Sequence, residues 1–258
     1  MDTEVFQAPR VLALGDAAWT VEFGREIDAT VNARVMDLAD RVALLRQDDP
    51  VFAAVCDVVP TFRSLTVHFD PMATDADALA SRLLALGQPH GLREQAGRHW
   101  RLPVCFDSEF APDLPRLAEA RGLTQAQVIA RLLDTEFRVY MIGFLPGFPY
   151  MGGLPPELAM PRLASPRPRV PKNSLAVAGE MCSVYPWESP GGWNLLGRTP
   201  LPLFDLGHAQ QPAMLAAGDR VRWRSVPREE YERLSELGHR GAWSRDDFLD
   251  TEASACPA

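Results

Sequence analysis

The sequence contains almost no lysine: Lys172 stands alone among 26 basic residues, and every other cation is arginine. Biased codon usage explains this most simply, but the scarcity also has a chemical consequence. The lone lysine lies in Pro171-Lys172-Asn173, not in the Met-Lys-Met setting of a biotin carrier, so no biotin is expected on this chain. Cysteine is scarce as well. Cys56, Cys105, Cys182 and Cys256 are scattered, form no C-x-x-C pair and have no histidine at metal-ligand spacing. That argues against a zinc site and for reduced thiols in the cytoplasm. Apolar runs are short, none nearing the ~20 residues of a membrane-spanning helix, and Met1–Arg10 lacks a signal-peptide core. Positive charge is nowhere concentrated and the net charge is -8, which disfavours nucleic acid, whose phosphates require clustered cations. The phosphate loop G-x-x-x-x-G-K-[ST], H-E-x-x-H, G-x-S-x-G and a dinucleotide G-x-G-x-x-G are also missing, which disfavours autonomous nucleotide or zinc chemistry of the common kinds.

What is present fits an ordinary globular chain. Its 258 residues, 47% hydrophobic and 23% charged, suit one large domain or two modest ones. Trp19, Val21 and Phe23 alternate with polar neighbours and predict a strand. Val31, Val35, Leu38, Val42 and Leu45 recur at helical spacing and predict an amphipathic helix over Asn32–Arg46. Strands follow at Ala54–Val59 and Ser64–Phe69. A second helix is expected to start from Thr74, bury Leu79, Leu83 and Leu86, and stop at Gly87. These elements predict a small α/β sandwich over 10–95, which one further strand would close. The aperiodic stretch Gln88–Arg98 marks the boundary.

Beyond it, a strand is expected at Trp100–Phe106. Helices follow at Pro112–Arg121 and Gln125–Leu133, the second capped by Thr124 with Gln127. Phe137–Phe144 reads as a strand. The eight prolines from Pro146 to Pro171 fix φ and remove N–H donors, which excludes long helices and central strands there. Short strands at Ser174–Ala178, Leu201–Asp205 and Arg220–Val226 predict a compact β-barrel over 96–227. A tail, 228–258, holds one helix (Arg228–Leu237) and then frays. The fold class is thus α+β.

Chemistry is concentrated in Gly143–Asp205. Gly152-Gly153 and Gly191-Gly192 allow a backbone to approach a ligand closely, and prolines stiffen the loops. Arg167, Arg169 and Arg198 offer planar forks for carboxylate or phosphate. Phe148, Tyr150 and Trp193 can wall an apolar pocket, and Tyr185 opens a Tyr-Pro pair beside them. Tight barrel turns also demand glycine and proline, and single arginines are usually solvated, so a ligand site and a purely structural role both fit the pattern.

The ordered run G-F-x-P-G-F-x-Y-x-G-G-L-P, then P-R-x-x-V-P, Y-P and S-P-G-G-W-x-L-L-G-R-T-P-L-x-L-F-D, resembles the B-subunit family of 5-oxoprolinase, also described as allophanate hydrolase subunit 1. That family includes the kinase inhibitor KipI and shares a module with the carboxyltransferase domain of urea amidolyase. The resemblance implies an N-terminal α/β subdomain and a cyclophilin-like β-barrel. It also implies a carboxyltransferase-domain partner of the C-subunit type, a lactam-hydrolysing A subunit, and ATP used together with the partner. Candidate substrate- or nucleotide-binding residues are Phe148, Tyr150, Gly152, Gly153, Arg167, Arg169, Tyr185, Gly191, Gly192, Trp193 and Arg198, with no catalytic residue assigned. Two further roles fit the same resemblance: a KipI-like inhibitor of a sensor histidine kinase, and a component of a biotin-dependent urea-type carboxyltransferase. Leu132 stands where the family commonly has histidine, Glu180-Met181-Cys182-Ser183 where it tends to have Gly-Gln-Thr-Gly, and Lys172-Asn173 where a small residue and glycine are usual. These departures are expected beside the pocket, with Cys182 and Glu180 as minor catalytic candidates.

Overall fold

The computed structural model describes residues 5–89 and 97–251, and the chain divides into two compact units, Met1–Ala96 and Gly97–Ala258. The expected boundary Gln88–Arg98 falls largely on residues 90–96, outside the described residues, as do His90 and Cys256.

The first unit is a four-stranded antiparallel sheet backed by two helices. Its strands are β1 (Val5–Ala13), β2 (Ala18–Gly24), β3 (Val55–Pro60) and β4 (Ser64–Phe69), in the order β1-β2-β4-β3. Helix α1 (Ala29–Asp48) buries Val31, Val35, Leu38 and Val42, the residues whose spacing predicts it. They meet Val21, Phe23, Leu65 and Val67 of the sheet in one core, with Leu79 and Leu83 of α2 (Ala76–Leu86). Asp75, not Thr74, caps α2, accepting from the N–H groups of Asp77 and Ala78. A carboxylate there also meets the positive end of the helix dipole, while the Thr74 hydroxyl donates instead to Val51 O. The further strand is β1, ahead of the first expected one. Pro9 and a register shift between Val5 and Arg10 blur its alternation.

The second unit is built on a seven-stranded sheet in the order β12-β9-β10-β7-β6-β13-β5. Its members are β5 (His99–Val104), β6 (Glu136–Ile142), β7 (Pro149–Gly152), β9 (Ser174–Ala178), β10 (Met181–Tyr185), β12 (Asn194–Arg198) and β13 (Arg220–Ser225). Only β13 and β5 run parallel. The sheet curls until its two edges meet, where Cys105 and Arg198 exchange both backbone hydrogen bonds at 2.9 Å. A ribbon of β8 (Arg167–Val170) and β11 (Ser189–Gly191) stands apart from it.

Alternation splits the sheet into two faces. Val139, Met151, Leu175, Val177, Cys182, Val184 and Leu196 face the main core. Packed there are α3 (Leu114–Ala120), α4 (Gln125–Asp134), Leu234 of α5 (Arg228–His239), and Phe248. The tail up to residue 251 is therefore part of this unit. The opposite face carries Phe148, Ala176, Ala178, Tyr185 and Leu195, joined by Val170 of the ribbon and by Trp193.

The expected capping box at Thr124 and Gln127 is present. Two expectations for this unit are corrected. Leu201–Asp205 is not a strand, since Pro200 and Pro202 remove ladder donors and only an isolated Phe204–Ala213 bridge remains. Conversely, the proline-rich stretch does contain a central strand, β7, between β6 and β10. It is tolerated because Pro149 occupies its first position, where no ladder N–H is required of it.

Candidate functional site

The second face of the sheet gathers the aromatic residues of the motif. Strand β7 supplies Phe148, just ahead of it, and Tyr150; β10 supplies Tyr185; and Trp193 immediately precedes β12. Phe148 is the hub, with ring centroids 4.9 Å from Tyr150, 5.1 Å from Tyr185 and 5.8 Å from Trp193. Tyr185 and Trp193 meet it edge-on, the favourable sense of the ring quadrupoles, worth about 0.5–1.5 kcal/mol per pair beyond area burial. Four of the expected site residues thus form one wall.

A cation stands over that wall, and it is not one of those the motif singles out. The Arg162 guanidinium lies 5.8 Å from the Trp193 ring centroid. Among the described residues it faces no carboxylate within ion-pair distance. Its charge also reaches both phenols. Burial raises the Tyr150 and Tyr185 hydroxyls above the usual tyrosine value and Arg162 partly offsets this, so both remain protonated donors at neutral pH. Ser183 shares this face by strand alternation; its Oγ is buried and makes no hydrogen bond, and the Ser189 Oγ on β11 is likewise buried without a partner. Nothing in the local sequence Met160-Pro161-Arg162 distinguishes Arg162 from its neighbours.

The three motif arginines are placed elsewhere: Arg167 and Arg169 are held by carboxylates, while the Arg198 Nε is buried without a hydrogen-bond partner. Arg167 reaches behind the wall: its Nη2 donates to Asp113 Oδ1 at 2.7 Å and its Nη1 to Trp193 O at 3.4 Å. Asp113 Oδ2 accepts from Leu195 N at 2.7 Å, so one buried carboxylate ties ribbon, α3 and β12 together. Arg169 makes a two-pronged bond to Glu188 at 3.0 and 2.8 Å on the exposed side of the ribbon. Arg198 lies at the sheet seam, 4.4 Å over Phe110, which Arg228 also covers at 4.4 Å. The structure does not bring these three together.

The glycines mainly make room for the protein itself. A Cβ on Gly152 would sit 2.0 Å from Tyr140 Cε2, and one on Gly191 would sit 2.3 Å from the Tyr185 hydroxyl. Gly153 adopts φ +95°, and Gly192 has nothing nearer than 3.7 Å. Phe144 is not among the expected residues. It is 66% exposed, holds φ at 67° and places its ring 5.5 Å from Phe148. A bulky side chain in the left-handed region costs about 1–3 kcal/mol, a strain typical of functional loops.

The departures from the family pattern are not all beside this wall, contrary to expectation. Leu132 is wholly buried in the main core, pointing inward from α4 with Val128. Glu180 is exposed in the tight turn joining β9 and β10. Cys182 faces the main core, and burial pushes its thiol far above the ordinary cysteine value, which removes it as a nucleophile. Only Met181 and Ser183 face the aromatic side. Asn173 has φ 63°, a conformation for which glycine is usual and asparagine the best substitute. Among the described residues, no group of three His, Cys, Asp or Glu side chains could hold a metal, and no helix is long and apolar enough to cross a membrane.

The family described as carboxyltransferase domain, subdomain C and D, matches residues 9–215. The 5-oxoprolinase B subunit of Bacillus subtilis is 34% identical over 237 residues, covering 86% of this chain and 95% of that protein. The chain belongs to the B-subunit family of 5-oxoprolinase. The B subunit of Haemophilus influenzae is 40% identical over 169 residues, covering 66% of this chain and 78% of that one. Among solved structures, that of TTHA0988 is 35% identical with a TM-score of 0.69 over 81% of this chain. This chain spans 40% of the length of TTHA0988, so in that protein the module is part of a much longer polypeptide. The matched range contains the whole aromatic wall, Arg162, Asp113 and the Phe144 loop.

Proposed function

We propose that this chain is the B subunit of an ATP-dependent 5-oxoprolinase, working in the cytoplasm with a partner of the C-subunit type and a lactam-hydrolysing A subunit. The observation that carries this reading is the 34–40% identity to proteins named as the B subunit of 5-oxoprolinase. The same kinship supports treating the curled sheet of the second unit as a cyclophilin-like barrel.

In this reading, half-buried Tyr150 meets the ring of the lactam, and buried Phe148, Tyr185 and Trp193 back it. Arg162 takes its carboxylate, an acceptor that a guanidinium matches with two parallel N–H groups. The Ser183 and Ser189 hydroxyls, buried without hydrogen-bond partners, are the polar groups left to orient the amide. Phosphorylation of the lactam oxygen by ATP, within the assembly of this chain and its partner, turns a poor electrophile into a good one. Water then adds to the activated carbon in the lactam-hydrolysing component, the ring C–N bond breaks as its nitrogen takes a proton, and inorganic phosphate leaves as glutamate forms.

The test is reconstitution. Purified chain, the C-type partner and the lactam-hydrolysing component are combined with 5-oxoproline and ATP, and glutamate and ADP are followed together. Glutamate formed only when this chain is present is the expected outcome. A complete set that binds together yet forms no glutamate would overturn the assignment.

A further inference from the structure

Outside the aromatic wall, the second unit has an open polar cleft of about 400 Å³ lined by Arg98, His208, Gln211, Ser244, Arg245 and Asp246 among others. It shares no residue with the wall. Arg98 leads into β5, Arg245 opens the short 3-10 turn Arg245–Phe248, and the turn around His208 forms the opposite side.

Both guanidiniums in the cleft are held in place before any guest arrives. Arg245 donates to the carbonyls of Gln211, Pro212 and Ala213 at 2.5, 2.8 and 3.5 Å. All three acceptors are neutral, and among the described residues no carboxylate comes within ion-pair distance of Arg245. Arg98 lies 4.8 Å over the Trp100 ring and bonds Met214 O at 3.1 Å. Its one carboxylate, Asp219, is 3.3 Å away and already accepts from Trp100 Nε1, Ala216 N and Arg98 N. Arg98 thus has one heavily subscribed acid and Arg245 is ion-paired with none; the two guanidiniums repel each other, and at Arg245 the charge of Asp205 offsets this from beyond ion-pair distance. Of the nearby acids, Asp205 is occupied by the Gly207 N–H at 2.8 Å and lies 3.9 Å from His208, while Asp246 lines the rim.

Rigid, weakly neutralised arginine forks in a concave setting are the makings of an oxyanion site. We propose that this cleft binds the phosphate or carboxylate group of a small metabolite between Arg98 and Arg245, with His208 as a third donor. The volume lies at the low end of small-molecule sites, which favours a compact anion over a whole nucleotide.

The test is isothermal titration of the full chain with inorganic phosphate and, separately, with glutamate. Saturable one-to-one binding of at least one of them is expected, and which one titrates identifies the chemistry of the guest. Arg98→Gln and Arg245→Gln should each weaken it roughly 10–150-fold, the usual loss for a charge-assisted contact. Because both arginines also brace the chain, a second variant keeps the fold: Ala209→Glu adds a carboxylate to an exposed position of the rim and should weaken binding at least about tenfold. Failure of both anions to saturate the wild-type chain at millimolar concentration would refute the proposal. So would affinity unchanged in Ala209→Glu.

Discussion

Asp113 is the joint on which the site's backing depends, and its removal makes a quantitative test. The side chain is 5% exposed; one carboxylate oxygen accepts from Arg167 and the other from the buried Leu195 N–H. Although Asp113 is the N-cap residue of α3, it makes no side-chain cap bond, so its whole hydrogen-bonding capacity goes to this junction. Asp113→Ala strands a buried N–H, at about 1–3 kcal/mol, and deprives Arg167 of its partner. Arg167 keeps 28% of its side-chain exposure and recovers some hydration, so the total should fall below the 3–5 kcal/mol of a fully buried broken pair. About 3 kcal/mol is the expected loss, equivalent to roughly 6–12 °C in Tm for a unit of this size. Calorimetry on wild type, Asp113→Ala, Arg167→Ala and the double variant gives the cycle. A coupling of about 1 kcal/mol or more is expected, well outside the ~0.3–0.5 kcal/mol of independent sites. A Tm loss below about 2 °C for Asp113→Ala, or an additive cycle, would refute the reasoning.

The other expectations concern single groups. In the reconstituted complex, Arg162→Ala should lower kcat/KM for 5-oxoproline roughly 10–150-fold, with Arg169→Ala milder because Glu188 already occupies that guanidinium; equal losses would argue against the assignment of the carboxylate to Arg162. Burial alone would raise the Glu136 carboxyl, but bonds from Arg220 at 2.7 Å and Arg222 at 3.2 Å bring it below the usual value. Its stabilising contribution is thus complete above about pH 4.3 and is lost as pH falls through the depressed value. Glu136→Gln should flatten that acid limb in urea titrations at stepped pH, and an unchanged slope would count against it. Iodoacetamide followed by mass spectrometry should label exposed Cys56 in the native chain and spare buried Cys105 and Cys182 until denaturant is added; native labelling of Cys182 would reinstate it as a nucleophile. Asn173→Gly should be close to neutral, whereas Asn173→Ala should cost about 1–2 kcal/mol by chemical denaturation, and a neutral alanine would mean the turn relaxes.

Local signals carried most of the elements. Helix α1 follows from its apolar spacing and α4 from its capping box, because in both cases the information lies within one or two turns of chain. The same periodicity also places Leu132 inward with Val128 four residues earlier, a clue available in sequence that outweighs its kinship to a family histidine. The commitments of the arginines were not legible. Arg167 meets Asp113 across 54 positions, and Arg198 is set on Phe110 by the closing of a sheet, so nothing near either residue reveals its partner. Arg162 stayed invisible for the converse reason: what marks it is the lack of an acid nearby in space. Proline statistics misjudged β7 because they treat a strand's first residue like its middle.

The parallel pair β5–β13 has a bearing on how the chain is made. In the sheet order, β5 is an edge strand whose ladder partner is β13, and that partner is synthesised roughly 120 residues later. Closing so long a loop is slow, and it must wait until β13 has left the ribosome. Throughout that interval Trp100, Leu102 and Val104 form an apolar strand with no ladder to join, although they are fully buried in the finished unit. The first strand of the unit to emerge is thus among the last to be satisfied, which makes it the segment a holding chaperone should occupy and the one most prone to mispair when synthesis outruns folding.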